Sequence, residues 1–273
     1  MTFEPGTPTD DVLADDHLLA AWLAETAGWR LLEVRGEGLE GKALKDAGDL
    51  AAHTLLMELV AAYRPDDGVL SEEGKDSKER LGKDRVWIID PLDGTREFSE
   101  PPRDDWAVHV ALWESVDGGR LTAGAVAQPA LAGTDQQSTF HTGNPPVVPG
   151  LDGLEHRAGL PPRIAVSRSR PPAFVASLAE ELGAELVPMG SAGVKMISVV
   201  RDITDAYVHA GGQYEWDSAA PVAVAAAAGL FTSRIDGSPL RYNQDDVYLP
   251  DVVVCRPELA EPILSFISEH GIE

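Results

Sequence analysis

From residue 163 onward, short apolar runs of strand length alternate with longer stretches of helical period. The apolar runs cover 163–167, 185–189, 205–210 and 251–255, and the helical stretches cover 172–182, 191–201, 217–228 and 257–269. Each such helix has one apolar stripe to bury, and the economical place for it is the face of a sheet, so this half is expected to be an α/β lobe. The Ala-rich helix beginning at 217 has side chains small enough for close approach to such a sheet.

The first half is less regular. Val12, Leu13, Leu18, Leu19, Trp22 and Leu23 suit one long helix over Asp10 to Val34. A glycine-rich break with a basic end (Gly36, Gly38, Gly41, Lys42, Lys45) separates it from a second helix over Asp49 to Tyr63, ended by Arg64-Pro65. Val69-Leu70 reads as a short strand, and 74–85 as a mobile mixed-charge loop. Arg85 to Asp90 reads as a strand, and Trp106–Glu114 with Leu121–Ala127 as a hairpin turning at 117–119. One further strand is expected near Thr139-Phe140. The Pro- and Gly-rich stretch 129–162 marks a lobe boundary, giving an N-terminal α+β lobe over 1–155 and a C-terminal α/β lobe over 156–273.

Charge narrows the partners. With 22 Lys+Arg against 45 Asp+Glu, the net charge of −23 repels nucleic acid polymers and anionic membrane surfaces. A small anionic substrate stays possible if carboxylates hold divalent cations that reverse the local sign. Cys255 is the sole cysteine, so no internal disulfide or multi-thiolate zinc site can form. The acidic start MTFEPGTPTDD lacks the apolar core of a secretory signal, and the apolar stretch Ala219 to Phe231 is shorter than the roughly 20 residues a bilayer needs. A cytoplasmic protein is expected.

The chemistry-bearing segment is Trp87-Ile88-Ile89-Asp90-Pro91-Leu92-Asp93-Gly94-Thr95. An apolar strand delivers Asp90 to its end, Pro91 stiffens the turn and Gly94 permits a sharp bend. Asp90, Asp93 and the Leu92 carbonyl can then meet at one point, with oxygen donors of the kind that hard divalent cations such as Mg2+ prefer. If Thr95 starts a helix, the Gly94 and Thr95 amides face the same point and favour a phosphate oxygen. Alone, D-P-x-D-G is also an ordinary capped turn.

Three separated motifs decide between these readings: Ser71-Glu72-Glu73, the segment from Trp87 to Thr95, and Glu215-Trp216-Asp217-Ser218-Ala219-Ala220. In order and separation they resemble the inositol monophosphatase superfamily of lithium-sensitive, magnesium-dependent phosphatases over roughly residues 10 to 270. The resemblance implies a layered αβαβα sandwich of the inositol monophosphatase/fructose-1,6-bisphosphatase type, and commonly a homodimer. Arg96-Glu97-Phe98, Ser167-Arg168-Ser169, Gly190-Ser191-Ala192 with Lys195, and Leu240-Arg241-Tyr242-Asn243 are similar to segments of the CysQ-type 3'(2'),5'-bisphosphate nucleotidases.

Carried over by position, the resemblance implies that Glu72, Asp90 and the Leu92 carbonyl hold one magnesium ion, and that Asp90, Asp93 and Asp217 hold a second. Glu73 would support a third. Asp49 would pair with Thr95 to orient or deprotonate the attacking water. Gly94, Thr95, Arg168, Arg170, Gly190, Ser191, Lys195, Glu215 and Tyr242 are the candidate substrate contacts, with the cations meeting a second phosphate and Tyr242 flanking a base. Arg163 is a weaker candidate of the same kind. Trp216 is expected in the core, positioning Asp217. The sequence departs from the family pattern at Asp46, an acid where threonine is usual, and at Arg170, a cation where histidine is usual.

Rival chemistries lack their motifs: there is no G-x-S-x-G, H-E-x-x-H or Walker A sequence, and no two of the seven histidines fall within four residues of each other. His109 and His209 lie in apolar strands and are expected to be packing residues. The resulting expectation is hydrolysis of 3'-phosphoadenosine 5'-phosphate to AMP and phosphate, with the 5'-phosphosulfate relative as a further substrate. The alternatives are an inositol or fructose-bisphosphate phosphatase, because the metal core is indifferent to the leaving alcohol, and an inactive nucleotide or metal sensor.

Overall fold

The structure is a computed structural model that describes residues 6–131, 138–151, 159–169 and 171–272. The single N-terminal helix expected from the apolar spacing is two. Asp15 is extended (φ −126°, ψ 114°), and its side chain accepts the amides of His17 at 2.8 Å and Leu18 at 3.3 Å, so it separates α1 (Asp10–Ala14) from α2 (Asp16–Arg35). α3 (Gly41–Tyr63) begins within the presumed break. A Cβ on its interior Gly48 would stand 2.6 Å from Phe98 Cε1, so this glycine permits the close approach of the helix to the segment after Asp93.

β1 (Gly68–Ser71) is followed by a loop whose 3-10 turn, Glu79–Gly82, buries Arg80. β2 (Arg85–Asp93), α4 (Thr95–Phe98), β3 (Ala107–Glu114), β4 (Arg120–Ala127) and β5 (Thr139–His141) complete the first half. The second half comprises β6 (Arg163–Ser167), α5 (Ala173–Leu182), β7 (Glu185–Met189), α6 (Ala192–Val200), β8 (Ala206–Ala210) and α7 (Glu215–Ala227). It closes with β9 (Phe231–Ser233), which no sequence signal marks, β10 (Asp251–Cys255) and α8 (Pro257–His270).

The strands form two five-stranded sheets, ordered β1-β2-β3-β4-β5 and β7-β6-β8-β10-β9. In the first, β1 and β2 are parallel and the remaining neighbours antiparallel. In the second, β6 is parallel to β7 and β8, while β10 runs antiparallel to β8 and β9.

Alternation along the strands sends side chains to opposite faces, and three apolar clusters show what covers each face. Trp87, Ile89, Val108 and Val110 pack with Leu19, Leu23 and Leu56 of α2 and α3. Val86, Ile88, Ala107 and Ala111 meet α6 and α7, which also meet Ala165, Tyr207, Val252 and Val254 of the second sheet. Ile164, Val166, Val208 and Val253 face α5 and α8 through Phe174, Leu178, Ile263 and Phe266. The layers run α, β, α, β, α, the expected sandwich. Gly124 of β4 carries no Cβ where Ala223 of α7 approaches, which is the close helix-to-sheet contact foreseen for the Ala-rich helix. The expected division at 155/156 falls within 152–158, outside the described residues.

Candidate active site

In a regular strand, residues three apart face opposite sides. The pairing of β2 with β3 slips between Asp90 and Asp93, and this irregularity, at Pro91, lets the two buried carboxylates converge. Asp217 reaches the same point from the first turn of α7, where its Oδ2 accepts the Tyr214 amide at 2.7 Å. Asp90, Asp93 and Asp217 each offer an oxygen within 4.8 Å of the others. Glu72 continues from the end of β1, its amide donating to the Ile89 carbonyl at 3.2 Å, and its carboxyl hydrogen-bonds Asp90. Residues from three distant segments are thus assembled at one point.

Crowding of acids away from water forces protons onto them. Burial, then the charges of Glu72, Asp93 and Asp217, push Asp90 well above the usual carboxylate range. Burial, countered by the bond to Asp90 and reinforced by neighbouring charges, pushes Glu72 up to about 7. Burial and the charge of Asp93 push Asp217 up to about 7.

Asp93 goes the other way. Burial alone would raise it, but His109, Ser191 and the Gly193 amide hold it down at about 2. Its Oδ1 accepts the Ala192 amide at 3.1 Å and its Oδ2 the Gly193 amide at 2.6 Å and the Ser191 hydroxyl, so the carboxylate caps the start of α6.

Gly94 adopts φ +85°, and a Cβ there would press at 3.2 Å on Ser191, Trp106 and the Asp105 carbonyl. Both conformation and space therefore require glycine. The turn it makes starts α4, and Thr95 Oγ1 donates to the Leu92 carbonyl at 3.2 Å and toward Asp49 Oδ1 at 3.4 Å. Burial and then the charge of Glu73 raise Asp49 to about 6, with the Thr95 hydroxyl acting against them. Asp46, one turn earlier on α3, is exposed and pairs with Lys42 at 2.7 Å; its charge also raises Asp49.

Asp93, Asp217, Gly94 and Thr95 open onto a cavity of about 730 Å³ whose other wall includes Gly190, Ser191, Lys195 and His209. Gly190 packs on Glu97, where a Cβ would stand 2.3 Å from Cγ. Glu97 pairs with Arg103 at 3.0 Å, and Arg103 also holds Asp105, which accepts the Gly190 amide at 2.7 Å and pairs with Arg168 at 3.1 Å. This charge network, whose acids Glu97 and Asp105 are buried, was not foreseen from the sequence and seats the Gly190-Ser191 corner. The buried Lys195 ammonium donates to the Gly190 and Ser191 carbonyls, and burial lowers its pKa.

Residues 20–270 match the sequence model of the inositol monophosphatase family. The chain belongs to that family. A 3'-phosphoadenosine 5'-phosphate phosphatase of Mycobacterium leprae is 50% identical over 262 residues, covering 93% of this chain and 94% of that protein. The 3'(2'),5'-bisphosphate nucleotidase CysQ of Escherichia coli K12 is 31% identical over 209 residues, covering 74% and 81%. Among solved structures, inositol monophosphatase II of Staphylococcus aureus MSSA476 superposes with a TM-score of 0.71 at 20% identity over 91% of this chain and 94% of that one, a likeness of fold.

The acids of this inositol monophosphatase-family site suit a hard divalent cation. Among the described residues the donors that converge are carboxylate oxygens, and the raised proton affinities of Asp90, Glu72 and Asp217 mark a deficit of positive charge at that point.

Several expected substrate contacts lie elsewhere. Glu215 is buried, and its two oxygens accept the amides of Asn243 at 2.6 Å and Gln244 at 2.7 Å. Tyr242 is buried with its hydroxyl 3.2 Å from Ser218 Oγ and lines a separate cavity beside Leu240 and Val222. Arg163 is engaged by Asp205 and Asp202 at the start of β6. Arg168 is paired with Asp105 and lines a separate cavity with Met189, Val194 and Arg201, and Arg170 lies outside the described residues. Trp216 is half-buried at the edge of the central apolar cluster, stacked on Tyr214 at 5.0 Å. The loop 74–85 is pinned by Arg80, which bonds Asp76, Asn243 and Gln244. Among the described residues, no helix is long and apolar enough to cross a membrane.

Proposed function

We propose that this chain hydrolyses the 3'-phosphate of 3'-phosphoadenosine 5'-phosphate, giving AMP and phosphate, and accepts the 5'-phosphosulfate relative as a second substrate. The observation that carries the reading is the convergence of Asp90, Asp93, Asp217 and Glu72 beside a cavity, in a chain half identical to a phosphatase of that name.

Asp90, Asp93 and Asp217, with Glu72 and the Leu92 carbonyl, would hold magnesium, and Glu73 would add charge for a further ion. Bound there, divalent cations supply acidity to water and neutralise charge on the leaving oxygen. The remaining work falls to side chains. Asp49, with a proton affinity near neutrality, is matched to accept a proton from the attacking water. Thr95 lies between Asp49 and the Leu92 carbonyl and orients that water. Gly94, Gly190 and Ser191 shape the walls against which the reacting phosphate sits, and Lys195 behind them contributes positive potential. To meet the second phosphate, the group that separates a bisphosphate nucleotide from an inositol monophosphate, Arg168 would have to turn from Asp105 toward the cavity; Arg170 is the other cation proposed for that contact.

The test is phosphate release from 3'-phosphoadenosine 5'-phosphate, inositol 1-phosphate and fructose 1,6-bisphosphate, with magnesium and with EDTA. Magnesium-dependent preference for the nucleotide is expected. A preference of orders of magnitude for inositol phosphate would remove the substrate assignment and leave a phosphatase; nucleotide binding without turnover would indicate a sensor.

A further inference from the structure

The acids of the site have an assigned place in this reading; the imidazole packed among them does not. His109, in the middle of β3, has no solvent exposure. Its Nδ1 donates to the Trp216 carbonyl at 3.2 Å, and its Nε2 stands at an ion-pair distance of 3.2 Å from Asp93 Oδ2. Trp216 directly precedes Asp217 in the first turn of α7, whereas Asp93 ends β2. One ring therefore touches the backbone that carries one acid and the carboxylate of another.

The surroundings are fitted to it. A Cβ on Gly193 would stand 1.9 Å from Nε2, so α6 is reduced to a hydrogen where the ring lies, while the Gly193 amide donates to the same Asp93 oxygen. Were filling space the ring's whole task, an apolar side chain would do it without desolvating two nitrogens. Nδ1 is satisfied by the Trp216 carbonyl, whereas Nε2 makes no hydrogen bond among the described residues and has only the charge of Asp93 beside it, so the buried ring is held by Asp93 and the α7 backbone together.

We propose that His109 is a positioning residue for the metal site: it fixes the Asp93 carboxylate and the start of α7 relative to each other, so that Asp93 and Asp217 are aimed at one cation before it arrives. The inference rests on the reading of these acids as metal ligands. Groups that hold ligands from behind typically contribute 10–100-fold to metal affinity.

The experiment is calorimetric or EPR-detected Mn2+ binding to the full chain without substrate, for the wild type, His109→Leu, His109→Asn and Asp93→Asn, with circular dichroism to verify folding. His109→Leu is expected to weaken Mn2+ binding about 10–100-fold. His109→Asn, which retains a donor, is expected to recover part of it. In turnover, the magnesium concentration at half-maximal rate rises while the nucleotide KM at saturating magnesium holds. Should His109→Leu fail to fold, His109→Asn and His109→Gln bear the test. Mn2+ affinity in the histidine variants equal to or tighter than wild type, with Asp93→Asn defective, overturns the positioning role. Full affinity in Asp93→Asn overturns the metal-site reading itself.

Discussion

Arg80 Nη1 donates to Asn243 Oδ1 at 2.6 Å, joining the loop after β1 to a segment 163 positions later. Glu215, at the head of α7, holds that same segment through the Asn243 and Gln244 amides. The chain of bonds ties the loop that follows Glu72 to the helix that carries Asp217. Removing the guanidinium in Arg80→Met leaves Asp76 to Lys78 alone and strips the donor from Asn243 Oδ1 and the Gln244 carbonyl, and is expected to cost about 1–3 kcal/mol in urea unfolding. Arg80→Lys restores only part, lacking the planar fork. A loss below about 0.5 kcal/mol, the range of ordinary surface changes, would show the clamp to be idle.

Asp90 is the acid shared between the expected ligand sets. Asp90→Asn is expected to lower phosphate release by roughly 10²–10³-fold or more, as the loss of a preorganised electrostatic group does. The metal-free variant is expected to melt no lower than the wild type, because a neutral amide replaces a carboxyl whose ionisation its buried, acidic surroundings oppose. Full turnover, measured at saturating magnesium, would refute the role of Asp90.

The acid cluster fixes the sign of a pH effect on the metal-free protein. Glu72 and Asp217 near 7, and Asp90 above its usual range, bind protons in the folded state that the unfolded chain, with carboxyls near 4, has already released. Stability therefore falls as pH rises from about 4 to about 7. Asp93, depressed to about 2, acts oppositely: its contribution is present above about 4 and is lost as pH falls toward 2. Scanning fluorimetry in EDTA should give a higher melting temperature at pH 5 than at pH 8, with magnesium narrowing the gap by binding the ionised form. Identical melting in EDTA at both values would contradict the clustering.

Asp49 must be ionised to accept a proton. With its carboxyl raised to about 6, kcat/KM is expected to climb with pH through an acidic limb at or below that value, bound cations lowering it. In Asp49→Asn the residual rate should lose this limb. Persistence of the same limb in the variant assigns it to another group.

The elements readable from sequence were those whose local pattern agrees with their burial. β6 and β10 have apolar, buried interiors (Ile164–Val166 and Val252–Val254), and their observed bounds match those expected; β7 also matches its expected bounds although it is a largely exposed edge strand. The ends of helices were less legible. Gly41, Lys42 and Lys45 were read as part of a break, yet α3 runs through them from Gly41, and its interior Gly48 lies against Phe98 and Leu92, a contact set by tertiary packing. Asp15 ends one helix and caps the next, although the apolar spacing runs through it. The converging acids were recognisable from three motifs together. Substrate contacts were less so: Glu215 and Tyr242 sit in motif positions, but their polar atoms are engaged by Asn243, Gln244 and Ser218. His109 had a usable signal, a polar residue sharing the face of Ala107 and Ala111 that points into the core.

The central helices α6 and α7 belong to the second half of the chain, yet they cover a face of the first sheet. A hybrid assembled from the front of one relative and the back of another would have to match across this seam. Exchange is therefore best attempted on the outer helices, where a mismatch reaches one sheet alone, and an isolated front half would present bare Val86, Ile88 and Ala111 to water and aggregate.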